Sequence, residues 1–194
     1  MWALVENDSV VKVFTRPTAI TIGENQYPSN IMQVWSNEEL EAIGIYEVHS
    51  DYSNVKDQEY YINGAESFVF ENGQVNRSFA EATPKEIDDV TDEDGNVTVG
   101  LKSQHKTIIN QQAGGLLQPT DWYVIRESEG GTACPADIAS WRASVRTKSN
   151  EMCTMIDGVA DVDALAALYQ YTNTGTEEAP VFTRPLGEFP TLGE

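Results

Sequence analysis

The spacing of apolar residues changes once along this chain, near residue 100. Upstream, short β-branched and aromatic runs alternate with polar residues and are cut by turn-forming clusters. Downstream, apolar residues recur at intervals of three and four. A period of two buries one face of a strand, and a period near 3.6 buries one stripe of a helix. The two halves therefore cannot share one architecture. The expected class is α+β: small β-meander units in the N-terminal half, a short helical hairpin or bundle in the C-terminal half, and an extended Pro-rich tail.

Four segments follow from the same pattern: 1–56, a β unit with one short helix; 57–100, β-hairpins and an acidic connector; 101–171, a helical domain; and 172–194, the tail. In the first, two apolar runs flank the turn cluster Asn7-Asp8-Ser9, and Thr18 to Ile22 alternates as a third strand. Ser36 with Glu39 forms a capping box, and Gly44 stops the helix that it starts. In the second, strands are expected at Glu59–Ile62, Glu66–Phe70 and Gln74–Ala80. Asn63-Gly64 and Asn72-Gly73 separate them, and Asn-Gly is a strong hairpin signal. Such a meander buries little and needs a partner surface for its aromatic face.

In the third segment, a helix is expected from Leu101 to Ala113, with Gly114-Gly115 ending or bending it. Pro135 opens a second helix, along which Ile138, Trp141, Val145, Met152 and Ile156 form the stripe, with Arg142 and Arg146 beside it. Asp161 caps a third helix carrying Val162, Leu165 and Tyr169. In the tail, Pro180, Pro185 and Pro190 favour an extended backbone. Val181-Phe182-Thr183-Arg184-Pro185 repeats Val13-Phe14-Thr15-Arg16-Pro17, either as two similar edge strands or as two copies presenting Phe and Arg alike.

A formal charge of −19 makes phosphate-backbone and anionic-membrane binding poor expectations, so neither nucleic acid nor membrane is expected as a partner. MWALVENDSV lacks the basic and apolar regions of a secretion signal, and no run reaches the length of a spanning helix. Cys134 and Cys153 lack a CxxC pattern and read as free thiols. The acidic DEDGN run lacks the spaced ligands of a calcium loop and reads as a solvated turn. His105 reads as a surface or seam residue. No nucleophile elbow, phosphate loop or metalloprotease motif is present, so no catalytic, cofactor-binding or metal-binding residue is assigned and no enzyme is expected.

Interaction chemistry concentrates between Leu116 and Arg146. Trp122, Tyr123, Arg126, Trp141, Arg142 and Arg146 are of the types that anchor interfaces. The tryptophans either fill a helical core or serve an interface, and core is the expectation. The candidate partner-binding residues are Arg126, Arg142 and Arg146, with Phe182, Arg184 and Phe189 from the tail.

The same stretch carries a family resemblance. Leu116-Leu117, then Thr120-Asp121-Trp122, then Trp141-Arg142-Ala143-Ser144-Val145-Arg146 resembles an LL-x-x-TDW … (Y/W)R-x-x-(L/V)R signature. That signature is found near the C-terminus of tailed-bacteriophage tail-fibre, tail-assembly and tail-assembly-chaperone-like proteins. Tyr27-Pro28-Ser29-Asn30-Ile31, Trp35 to Leu40 and Ala82-Thr83-Pro84-Lys85 are similar in style, and the match fades after Tyr171. The resemblance implies a structural component of a phage tail (fibre, baseplate or tail tip). It would be made in the host cytoplasm, reside in the virion tail, and contact other tail proteins in several symmetric copies. The alternative is an assembly chaperone that leaves its client. A hydrolase acting on host glycans is a third, remote class.

Overall fold

The computed structural model describes residues 1–193. The chain forms two compact units, Met1–Thr83 and Pro84–Glu194, so the division differs from the four segments expected. The fold is α+β, with strands concentrated in the first unit and helices in the second.

In the first unit, β1 (Trp2–Glu6) and β2 (Ser9–Phe14) form the opening hairpin. Its turn residues Asn7 and Asp8 both have positive φ, which matches the strand twist. After β3 (Ile20–Ile22), β4 (Asn25–Tyr27) and the short helices α1 (Ile31–Val34) and α2 (Asn37–Glu41) comes β5 (Ile45–Ser50). The capping box starts α2 as expected: the Glu39 N–H donates to Ser36 Oγ, and the Ser36 N–H donates to the Glu39 carboxylate at 2.8 Å. Gly44 follows with φ +83, where a side chain would press on the Val5 carbonyl at 2.9 Å.

Next come β6 (Tyr61–Ile62), β7 (Glu66–Glu71) and β8 (Gln74–Phe79), and β9 (Thr83–Pro84) carries the chain into the second unit. β7 and β8 pair through Asn72-Gly73 as expected. Asn63-Gly64 makes no hairpin. The Asn63 side chain instead bonds both the N–H and the carbonyl of Lys56, and Gly64 lies so close to Ala80 that a Cβ would overlap its carbonyl.

One sheet, in the order β2-β1-β5-β8-β7, unites what the sequence pattern separates at residue 56. The joint is a parallel pair, β5 with β8, Val48 opposite Val75. The meander thus finds its missing partner surface inside its own chain. Alternation gives the sheet two apolar faces. Leu4, Phe14 and Ile45 pack under the β3–β4 hairpin and the short helices. Ala3, Val48 and Val75 pack with Val10, Val13, Phe68 and Phe70 on the other face. A bulge in the β1–β2 register leaves Val11 over, which is why Val10 and Val13, an odd number apart, share a face.

The second unit opens with the hairpin of β10 (Val90–Thr91) and β11 (Val97–Thr98). Asp92 accepts bonds from the N–H groups of Asp94 and Asn96 and from the Asn96 amide, so the acidic turn closes on itself. Asp89 then ties down the start of the next helix, accepting from the N–H of its N-cap residue Gly100 at 2.8 Å and from the Ser103 hydroxyl at 2.9 Å. These bonds hold its carboxyl below the ordinary carboxylate value.

The helices are α3 (Leu101–Leu117), α4 (Asp121–Ser128), α5 (Ala136–Asp157) and α6 (Val162–Tyr169). Gly114-Gly115 neither ends nor interrupts α3, which continues to Leu117 before a 3-10 turn, Gln118–Thr120, leads into α4. α3 and α5 run antiparallel: Lys106 pairs with Asp157, Asn110 meets Ser149, and Leu117 meets Arg142. Ile109, Val145, Met152, Ile156 and Leu165 fill the space between the helices. Asp161 caps α6 through the Ala164 N–H. The tail has no helix, but it is not a free arm. β12 (Thr172–Asn173) and β13 (Phe182–Thr183) pair, and Leu186 beyond them is fully buried.

Candidate interaction site

The stretch from Leu116 to Arg146 builds a corner, α3 into α4, braced from α5 by Arg142. Buried positions on α5 are Ile138, Arg142, Val145, Ser149, Met152 and Ile156, spaced by three and four throughout. Arg142 therefore lies in the stripe, not beside it. It is 4% exposed. Its guanidinium donates to the Leu117 carbonyl at 2.7 Å, to Thr120 Oγ1 and to the Asp121 carboxylate at 2.6 Å. Those groups are the end of α3, the turn and the start of α4. Arg142 ties the corner shut, and its donors are not available to a partner as the sequence pattern suggests.

α4 is unlike the other long helices because none of its side chains is buried. Trp122 is 50% exposed and Ile125 55%, with Val124 also exposed. Trp122 thus departs from the core position expected. It stacks on Tyr123 at 3.8 Å between centroids, and the Arg126 guanidinium lies over both rings at 4.9 and 5.3 Å. Arg126 also donates to the carbonyls of Thr132 and Ala133, closing the loop after α4. Its polar head is committed within the chain. Arg146 is exposed.

Trp141 is half-buried, and its indole N–H donates to the Pro190 carbonyl at 2.9 Å. An apolar groove of about 370 Å³ lies there, walled by Leu116, Pro119, Trp141, Phe189, Pro190 and Leu192. Of the tail candidates, Phe189 lines this groove. Phe182 is 63% exposed on β13. Arg184 pairs with Glu188 at 2.9 Å and lies over Tyr169 and Tyr171. The repeated pentapeptides occupy unlike settings, since Phe14 is 3% exposed in a core and Phe182 is on the surface.

His105 is buried, its Nδ1 2.9 Å from the Tyr169 hydroxyl, in the seam between α3 and α6. The Cys153 thiol is pushed up by burial, with Lys106 opposing, which is the reverse of nucleophile activation. Cys134 and Cys153 are both free thiols. Among the described residues, no three His, Cys, Asp or Glu side chains are placed to hold a metal ion. No described helix is long and apolar enough to cross a membrane. Comparison with protein-family models, curated proteins and solved structures finds no match.

Proposed function

We propose that this chain is a non-enzymatic structural component of a bacteriophage tail, joining tail subunits through protein–protein contacts. The observation that carries the reading is the outward face of α4. Trp122 and Ile125, three residues apart and on the same side of the helix, offer solvent an aromatic and aliphatic face on a helix that contributes no buried side chain, and Val124 is exposed on another side. Large apolar groups clustered on a surface mark contact sites, and tryptophan is a favoured anchor in them. These residues stand within the segment whose TDW…WR…R spacing resembles phage tail proteins. Fibre, baseplate and tail tip are the parts of a tail that fit the reading.

Mass spectrometry of purified particles tests it. The chain is expected in the virion at a fixed ratio to other tail proteins. Its absence from intact particles, combined with a raised soluble yield of a co-expressed fibre, would replace this reading with that of an assembly chaperone.

A further inference from the structure

Between Ala113 on α3 and Ile138 on α5, Thr120 is the one buried residue. The chain from Gly114 to Cys134 contains the whole of α4 and adds almost nothing to the core of its unit. Few buried contacts put a segment at the low end of local stability.

The bonds of this segment are mostly to itself. The Arg126 guanidinium donates to the Thr132 and Ala133 carbonyls, the Gly131 N–H to the Arg126 carbonyl at 2.9 Å, and the Cys134 N–H to the Glu127 carboxylate at 3.2 Å. They clasp the loop after α4 onto α4. Apart from the helix bonds of α3, every hydrogen bond from the segment to the rest of the unit is donated by Arg142, among the described residues. Across from Trp141, Leu116 and Pro119 leave an apolar space of about 370 Å³. Both limits of the segment are marked. At one, Gly114 and Gly115 are exposed within α3, and a Cβ on either would meet nothing within 4 Å. No packing demands glycine there, and each glycine weakens the helix at that point. At the other, the Cys134 N–H is held by the segment, while the Pro135 carbonyl accepts from the Ala139 N–H of α5 at 2.9 Å.

We propose that Gly114–Cys134 is a latched arm, which opens as one cooperative unit while α3 up to Ala113, α5 and α6 stay folded, with Arg142 as the latch. The Leu117, Thr120 and Asp121 bonds share one guanidinium, so they are lost together. The eight residues of α4 are too few to hold a helix in water, so α4 melts when the arm opens. Trp122 and Ile125 ride on the arm, so a partner that grips helical α4 also holds it shut. The inference does not rest on the phage-tail reading, and its failure leaves that reading in place.

Native-state hydrogen exchange of the full chain, read amide by amide by NMR, tests it. The helical amides Ile125–Glu129 of α4 are expected to be protected at least about tenfold less than Val145–Met152 in α5. Ile156→Val trims a fully buried side chain of α5 outside the arm. It is expected to lower protection of Val145–Met152 several-fold and to leave Ile125–Glu129 unchanged. Gly114→Ala with Gly115→Ala strengthens the end of α3. It is expected to raise protection about tenfold at Gln118 and at Ile125–Glu129 alike, although α4 does not contain the substituted positions. If Ile156→Val lowers protection equally in both helices, the arm opens only with the whole unit and the proposal is overturned. A rise confined to the end of α3 in the glycine variant, with α4 unmoved, shows fraying of α3 alone and overturns it too.

Discussion

Arg142 and Asp121 form an ion pair with unequal partners, and that inequality predicts an unequal response to mutation. The arginine side chain is 5% exposed and the aspartate 52%. Removing the aspartate leaves a guanidinium in the interior with no counter-charge, and its Nε has no partner already. Removing the arginine leaves a carboxylate that water still reaches. Stranding a buried charge costs about 3–5 kcal/mol. Asp121→Ala belongs near the lower end, because the Leu117 carbonyl and Thr120 hydroxyl still accept from Arg142. Loss of a carboxylate in the first turn of α4 adds about 0.5 kcal/mol. The expected cost is about 3.5 kcal/mol.

Arg142→Met keeps most of the volume and removes the buried charge. It forfeits bonds to Leu117, Thr120 and Asp121, with a net loss of about 1–2 kcal/mol. In the Arg142→Met background, Asp121→Ala adds only its helix-start contribution of about 0.5 kcal/mol, so the double mutant falls close to Arg142→Met and the coupling is about 3 kcal/mol. Urea unfolding followed by helical circular dichroism reads this unit, with stability compared through midpoints at constant slope. If Asp121→Ala proves milder than Arg142→Met, or the two costs simply add, the buried-cation account of the corner fails.

Other outcomes follow from single contacts. Gly100→Ala drives a Cβ into the backbone carbonyl of Asp88, at the start of α3, and is expected to cost about 3 kcal/mol in the same urea assay. Asp89→Asn removes a carboxyl held below the ordinary 3.8, chiefly by the Gly100 N–H and then by the Ser103 hydroxyl. A depressed folded value stabilises above the unfolded value and is lost as pH falls through the folded one, so the melting-temperature gap to wild type is widest near neutrality and closes below about pH 4; a gap constant with pH refutes a stabilising role for the Asp89 carboxylate at the start of α3. Trp122→Ala, at a half-exposed site, should change stability by no more than about 0.5 kcal/mol while depleting the protein from virions by mass spectrometry.

Features that depend on neighbours within a few residues are legible in the amino-acid sequence alone. The Ser36–Glu39 box, the Asn72-Gly73 hairpin and the Asp161 cap are of this kind. The β5–β8 pair is not, because parallel pairing needs a long crossover and leaves no local turn signal. Asn63-Gly64 carries the same dipeptide as Asn72-Gly73 yet serves a different purpose. There the Asn side chain finds Lys56 and the Gly admits Ala80, and both contacts lie beyond the reach of a turn. Local preference sets what these residues tolerate, and distant contacts choose among the options.

The site shows the same division in its side chains. A stripe drawn through apolar residues alone puts Trp141 inside the α5 stripe and Arg142 outside it. The buried positions require the opposite arrangement, with Arg142 and Ser149 as polar members. Spacing of three and four from Ile138 to Val145 passes through either 141 or 142, so the pattern admits both registers; what it lacks is a reason to bury a cation. That reason is the unpaired carbonyl end of α3 meeting the acidic start of α4, a corner that only folding assembles. With Arg142 spent on the corner, Trp141 is displaced from the stripe to its edge, where its N–H is free for Pro190. The Arg142 brace and the Trp141–Pro190 bond are thus two consequences of one helical register, and a shift of α5 by one residue would abolish both.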